Sequence, residues 1–136
     1  MGEVRVTVQL TNVGDITLVR RNLMRPEEVR SVEANALIDT GAVSFVLPSL
    51  IVERLGLARP FKQVVRYADG RREEVDVTEP VLVDLMGRHT AEEALVLGDE
   101  VIIGQTILEK TDLLVDCSER RLLPNPAHPD QSVLRV

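Results

Sequence analysis

In the stretch Ala36–Leu50, ALIDTGAVSFVLPSL, one carboxylate, Asp39, stands between the apolar run Ala36-Leu37-Ile38 and the turn-forming pair Thr40-Gly41. A second apolar run, Phe45-Val46-Leu47, follows at once, so the turn is expected between two buried strands. An Asp in a turn commonly accepts from backbone amides just downstream, with Gly supplying a positive φ. That role alone would suit almost any loop. A carboxylate set between buried strands is costly unless it is paired or serves a reaction. Ionised, such a group takes a proton from water; protonated, it polarises a carbonyl.

Few other residues offer chemistry. Cys117 is the single cysteine, so it has no internal disulfide partner. Beside the aliphatic run Leu113-Leu114-Val115 it is expected to be a small core or edge residue. His89 and His128 are far apart and match no metal-ligand spacing, so no metal site and no cofactor are expected.

The elements that must position Asp39 read mainly as strands. EVRVTVQL alternates Val4, Val6, Val8 and Leu10 with Arg5, Thr7 and Gln9, a strand with one buried face. Asn12 and Gly14 mark a turn, ITLVRR reads as a second strand, and VRSVEANALI as a third that delivers Asp39 at its end. Ser49 is positioned to cap a short helix, Leu50–Leu55, with Gly56 just past its end. FKQVVRYADGRREEVDV splits into two strand-like halves around Asp69-Gly70, a dipeptide that favours a tight hairpin. PVLVDLMG and TAEEALVL read as a further strand pair. VIIG is a short buried strand leading into a helical turn from Gln105 to Lys110, and DLLVD and RRLL close the pattern. The tail from Pro124 holds three of the seven prolines and is expected to be extended or loosely ordered.

Composition sets limits on all of this. A chain of 136 residues with 44% hydrophobic but only 2% aromatic residues is expected to form one domain with a modest aliphatic core. The balance of 16 basic against 22 acidic residues, net charge −6, argues against a nucleic-acid backbone or an anionic membrane as main partner. Charges at Glu3 and Arg5 interrupt any signal-like segment, and no apolar run approaches membrane-spanning length. Met1-Gly2 opens a myristoylation pattern, but Val6 stands where Ser or Thr is needed. A cytoplasmic location is the default expectation. The resulting fold class is mainly β, a closed barrel or two-layer sheet with one or two short helices.

ALIDTGA, followed about sixty residues later by VIIGQTILE, resembles the retropepsin-like (clan AA) aspartic proteases. There, a hydrophobic-hydrophobic-Asp-Thr-Gly-Ala loop is joined by a hydrophobic-hydrophobic-Gly stretch leading into a short helix. The order, the spacing, the intervening Asp-Gly hairpin and the β-rich background agree with the small single-domain prokaryotic type. The likeness covers residues 1–126, with 127–136 left as a C-terminal tail. It implies a retropepsin-like fold acting as a homodimer, with Asp39, Thr40 and Gly41 catalytic. Asp39 would be the acid and Thr40 the hydroxyl bracing two loops across a two-fold axis, while Gly41 lets the backbone approach substrate. It further implies that Ala42 lines the cleft, that Ile102 and Ile103 wall a substrate pocket with Gly104 allowing close contact, and that Asp69-Gly70 tips a flap over the substrate.

Carboxylate-driven peptide hydrolysis needs two acids facing one water. No second Asp-Thr-Gly or Asp-Ser-Gly occurs in the chain, so the second acid must come from another copy of Asp39. Two positions depart from the family. The acidic residue after the motif's Ala and the Arg after the later Gly, which pair in retroviral members, are here Val43 and Gln105. Loss of both partners together is far less costly than loss of one. A homodimeric endopeptidase acting on extended peptides with apolar residues flanking the cut is thus the leading expectation. The alternatives are a catalytically weak dimeric peptide-binding module on the same fold and an unrelated β-rich interaction protein whose Asp39 is only a turn residue.

Overall fold

The computed structural model describes residues 3–136, so the Met1-Gly2 pair lies outside the described residues. The alternating segment near the start forms β1 (Val4–Asn12), with Val4, Val8 and Leu10 buried and Arg5, Thr7 and Gln9 exposed. It pairs antiparallel with β2 (Ser31–Ile38) in a register that sets Val4 opposite Ile38. The first residues of β1 therefore lie beside the strand end that carries Asp39.

The remaining strands follow the sequence reading closely. They are β3 (Val46–Leu47), β4 (Phe61–Arg66), β5 (Arg72–Val77), β6 (Val81–Leu85), β7 (Arg88–Glu92), β8 (Leu95–Val96), β9 (Val101–Ile103), β10 (Leu113–Asp116) and β11 (Arg121–Pro124). The first nine make one sheet in the order β4-β5-β8-β3-β9-β2-β1-β6-β7, and β10 and β11 make a separate hairpin. The expected barrel does not close. Strands β4 and β7 stand at opposite edges of the sheet and do not pair, and both faces of β4 are largely exposed. At the other edge, β7 is engaged by a helix through Lys110–Glu92 at 2.6 Å and through Arg88.

Among the described residues three α-helices form where one or two were expected: α1 (Val13–Arg20), α2 (Ser49–Arg54) and α3 (Gln105–Thr111). The segment ITLVRR, expected as a strand, lies in α1. Its β-branched residues favour a strand, but the side chain of Asn12 caps the helix by accepting from Asp15 N at 3.0 Å. Asp15 is then fully buried and held by Arg30 through Nε and Nη2, both at 2.9 Å. These bonds to the Arg30 side chain hold the Asp15 carboxyl below the usual carboxylate range. At α2, Pro48 takes the cap position expected of Ser49, whose hydroxyl instead accepts from Arg59 at 2.8 Å. Gly56 ends this helix with φ +62°, as expected.

The core is aliphatic. Leu10, Leu47, Leu55, Leu85, Ile103 and Ile107 are almost fully buried between the sheet and helices, each worth about 1.5–3 kcal/mol of transfer free energy. No helix among the described residues is long and apolar enough to cross a membrane.

Candidate active site

The loop after β2 is built from backbone bonds. Asp39 N donates to Ile103 O at 3.0 Å, extending the parallel β2–β9 ladder by one residue. Ala42 N donates to Asp39 O at 3.1 Å, and Gly41 N donates to Asp39 Oδ1 at 2.9 Å. The chain then runs into β3, which pairs with the other side of β9, so β9 lies between the two strands that flank the loop.

α3 completes the frame. A helix leaves its first amides without intrahelical acceptors, and no side chain caps α3. The loop supplies the acceptors: Gln105 N donates to Ala42 O at 2.8 Å and Thr106 N to Val43 O at 3.2 Å. Gly104 makes this possible, since a Cβ there would lie 2.6–2.8 Å from the carbonyl oxygens of Ser44, Ala42 and Val43. The Val43 and Gln105 positions carry no ion pair; each bonds through main chain to the other's neighbour, Val43 O to Thr106 N and Gln105 N to Ala42 O. Val43 itself is 70% exposed, and the Gln105 amide donates to Glu109 at 3.4 Å.

With its backbone so held, Asp39 is half-buried while Thr40 and Gly41 are exposed. Asp39 and Thr40 line a groove of about 460 Å³ whose far wall is the β10–β11 turn, with Cys117, Ser118 and Arg120. Cys117, expected in the core or at an edge, is exposed in this turn. The reason is the turn itself: Asp116 Oδ1 accepts from Ser118 Oγ at 2.7 Å and from the amides of Ser118 and Glu119, both at 3.1 Å, which directs residues 117–119 outward. The Ser118 hydroxyl is the main cause holding Asp116 below the usual carboxylate range. Glu3, the other acid lining the groove, is paired with Arg5 at 2.9 Å.

The remaining candidates separate. Ala42 is half-buried within the loop. Ile102 is half-buried, opposite Leu37 and Val46, but Ile103 is fully buried in the core and has no surface to offer a substrate. Asp69 and Gly70 form the exposed tip of the β4–β5 hairpin, with Gly70 at φ +87° and Asp69 Oδ1 accepting from Arg71 N at 2.9 Å. The tip is also braced by Arg71, stacked 4.4 Å from the centre of the Tyr67 ring. Neither tip residue is among those lining the groove at Asp39 or the cavity at Ser44.

The body of β4 does line that cavity. Gln63, Val64, Val65 and Arg66 face Ser44 and Leu95 across a cavity of about 600 Å³. The sequence holds a signal for this strand: Phe61 and Val64 are apolar among polar neighbours, and they are 60% and 54% exposed. Geometrically, the site combines a carboxylate on a fixed loop, an open groove on one side and a strand-walled cavity on the other. No protein-family model matches the chain, and no curated protein matches it.

Proposed function

We propose that the protein is a homodimeric aspartic endopeptidase of the retropepsin-like type. The observation that carries this is the Asp39 loop: its backbone is fixed by β9 and α3, while its carboxylate accepts a single bond among the described residues and borders an open groove. The other acid lining that groove, Glu3, is paired with Arg5, which also binds Glu100. The second reacting carboxylate is then Asp39 of another copy, brought in by two-fold association.

Two such carboxylates hold one proton between them, as in the general aspartic-protease dyad. The ionised one removes a proton from water, and the resulting hydroxide attacks the scissile carbonyl, whose oxygen takes a proton from the other. As the tetrahedral gem-diol collapses, the protonated acid gives its proton to the leaving amine and the C–N bond breaks, while a gem-diol hydroxyl returns its proton to the ionised acid, leaving the dyad with one proton as before. An extended peptide lying along β4, with apolar side chains against Val64 and Val65, is the substrate class this surface favours. The free edge of β4 also supports one alternative, a dimeric peptide-binding module that adds a strand without cutting it.

The deciding experiment is Asp39→Asn, with peptide-library hydrolysis and sedimentation measured together. Asn keeps size and hydrogen bonding but cannot serve as the base, so hydrolysis should fall by at least about a thousandfold. Dimerisation should persist or tighten, because two apposed carboxylates become neutral amides. Binding without hydrolysis in the unaltered protein would favour the binding module. Full peptidase activity in Asp39→Asn would remove Asp39 from the mechanism.

A further inference from the structure

The tail beyond β11, expected to be loose, is tied to the far end of α3. That helix ends at Asp112, in the left-handed conformation with φ +55°. The Asp112 carboxylate accepts from Asn125 Nδ2 at 3.0 Å and from Val133 N at 3.1 Å, and the His128 imidazole bonds it through Nδ1 at 2.6 Å. The main chain joins in: Asn125 N donates to Asp112 O at 3.1 Å, and Ser132 Oγ to Thr111 O at 2.9 Å. Arg88, 8% exposed, is paired with no carboxylate among the described residues. Its guanidinium instead donates to Thr111 O, Asp112 O and His128 O at 3.1, 2.8 and 2.7 Å.

These contacts have an uneven character. Val133 and Leu134 remain 45% and 58% exposed, so apolar burial does little to hold the segment down. Attachment depends on polar bonds converging on one residue, Asp112, and on one buried cation placed where helix carbonyls concentrate negative charge. The other end of the same seven-residue helix donates the two amides that hold Ala42 O and Val43 O. We propose that residues 125–133 form a strap that, by clamping the C-terminal end of α3 through Asp112 and Arg88, sets the order of the Asp39 loop at the helix's other end. Asp112 and Arg88 are positioning residues in this scheme. The strap stands apart from the hydrolytic reaction, since it concerns the loop's order whether or not peptides are cut.

Hydrogen–deuterium exchange on the full chain tests it, comparing Asp112→Gly with Asp112→Asn. Glycine adopts the left-handed backbone freely, so Asp112→Gly removes the carboxylate without adding backbone strain. Asparagine also tolerates that conformation and keeps one carbonyl acceptor. In Asp112→Gly the amides of Asn125, Val133, Gln105 and Thr106 should all exchange at least about tenfold faster, while β1 and β2 amides keep their protection. Asp112→Asn should recover part of the loss at all four. If Asp112→Gly proves unfolded, Asn125→Ala and His128→Ala, each removing one side-chain bond to Asp112 and the first also the acceptor of Ala127 N, should show the same pattern on a smaller scale. Loosening confined to the tail, with Gln105 and Thr106 still protected, would overturn the proposal, as would a uniform acceleration through the whole sheet.

Discussion

Replacing Gly104 with Ala perturbs the Asp39 loop while leaving every charged group in place. The new Cβ would lie 2.6, 2.7 and 2.8 Å from the carbonyl oxygens of Ser44, Ala42 and Val43, where ordinary contact begins near 3.4 Å. All three are backbone atoms, so none can rotate aside. The residue's own backbone, φ −98° and ψ −172°, suits alanine, so the cost is steric and not conformational. The loop must retreat by about 0.6–0.8 Å, which pulls Ala42 O and Val43 O away from the amides of Gln105 and Thr106. Two weakened backbone bonds cost about 0.5–1.5 kcal/mol each, and overpacking adds about 1–3 kcal/mol. Together these predict about 2–6 kcal/mol, a large part of the roughly 5–15 kcal/mol available to a domain. Thermal unfolding followed by circular dichroism should therefore show Tm lowered by about 10 °C or more. Gly70→Ala serves as a control, because nothing lies within 4 Å of its Cβ and only its φ of +87° opposes the change. It should cost about 1–2 kcal/mol and leave any peptidase activity closer to normal. A Gly104→Ala protein that melts within about 2 °C of the parent would mean that the loop does not rest on this glycine.

The neighbouring residues Ile102 and Ile103 should part company. Ile103→Ala should cost about 2–5 kcal/mol in urea unfolding, whereas Ile102→Ala should cost less and act mainly on peptide turnover; equal effects on stability would contradict the opposite faces assigned to them. Acidification should destabilise the fold. Asp15, Asp76, Asp112 and Asp116 are all held below the usual carboxylate range, chiefly by hydrogen bonds from Arg30, Lys62, Asn125 and Ser118 respectively. A depressed folded-state value means that the stabilisation is complete above the unfolded-state value and is lost as pH falls through the folded one. Unfolding midpoints should hold from about pH 7 to about pH 5 and decline below that. Asp15→Asn should cost about 1–3 kcal/mol at neutral pH and flatten the acid decline; an unchanged midpoint and profile would show that the Arg30 pair contributes nothing.

Local patterns in the sequence carried those parts of the fold that local forces decide. Alternation in β1, the Asp69-Gly70 turn between β4 and β5, and the strand-Gly-helix passage from Val101 into α3 each appear where their residues indicate. α1 was not legible because its outcome depends on Asp15 meeting Arg30, and Ile16, Thr17 and Val19 alone favour a strand. Sheet closure was equally hidden: no local signal says whether the two outermost strands meet. Ile102 and Ile103 could not be assigned to faces because Val101-Ile102-Ile103 has no polar residue to mark the alternation, and only pairing with β2 fixes it. The strap joins residues between 13 and 40 positions apart, such as Asp112 with Asn125 and Arg88 with His128, which composition alone reads as a proline-rich tail.

The distribution of restraint in the Asp39 loop bears on what the acid is for. Asp39 N, Ala42 N, Ala42 O and Val43 O are all engaged by main-chain partners, and Gly104 exists to let them come close. The carboxylate, by contrast, accepts one bond from Gly41 N and no other from the protein among the described residues, although an ionised carboxylate can accept about four. A turn that needed its Asp only for local capping would not require a helix and two strands to immobilise the backbone around it. A site shared between two copies would require this. Association orders groups at an entropic cost, and a loop already fixed in the single chain has little of that cost left to meet. What two such loops must still supply is contact area around the groove and a water between the acids. The carboxylate's unused acceptor positions and its charge are therefore the features that most separate a reacting Asp39 from a structural one, and Asp39→Asn removes the charge and half of those positions while the frame around them is left standing.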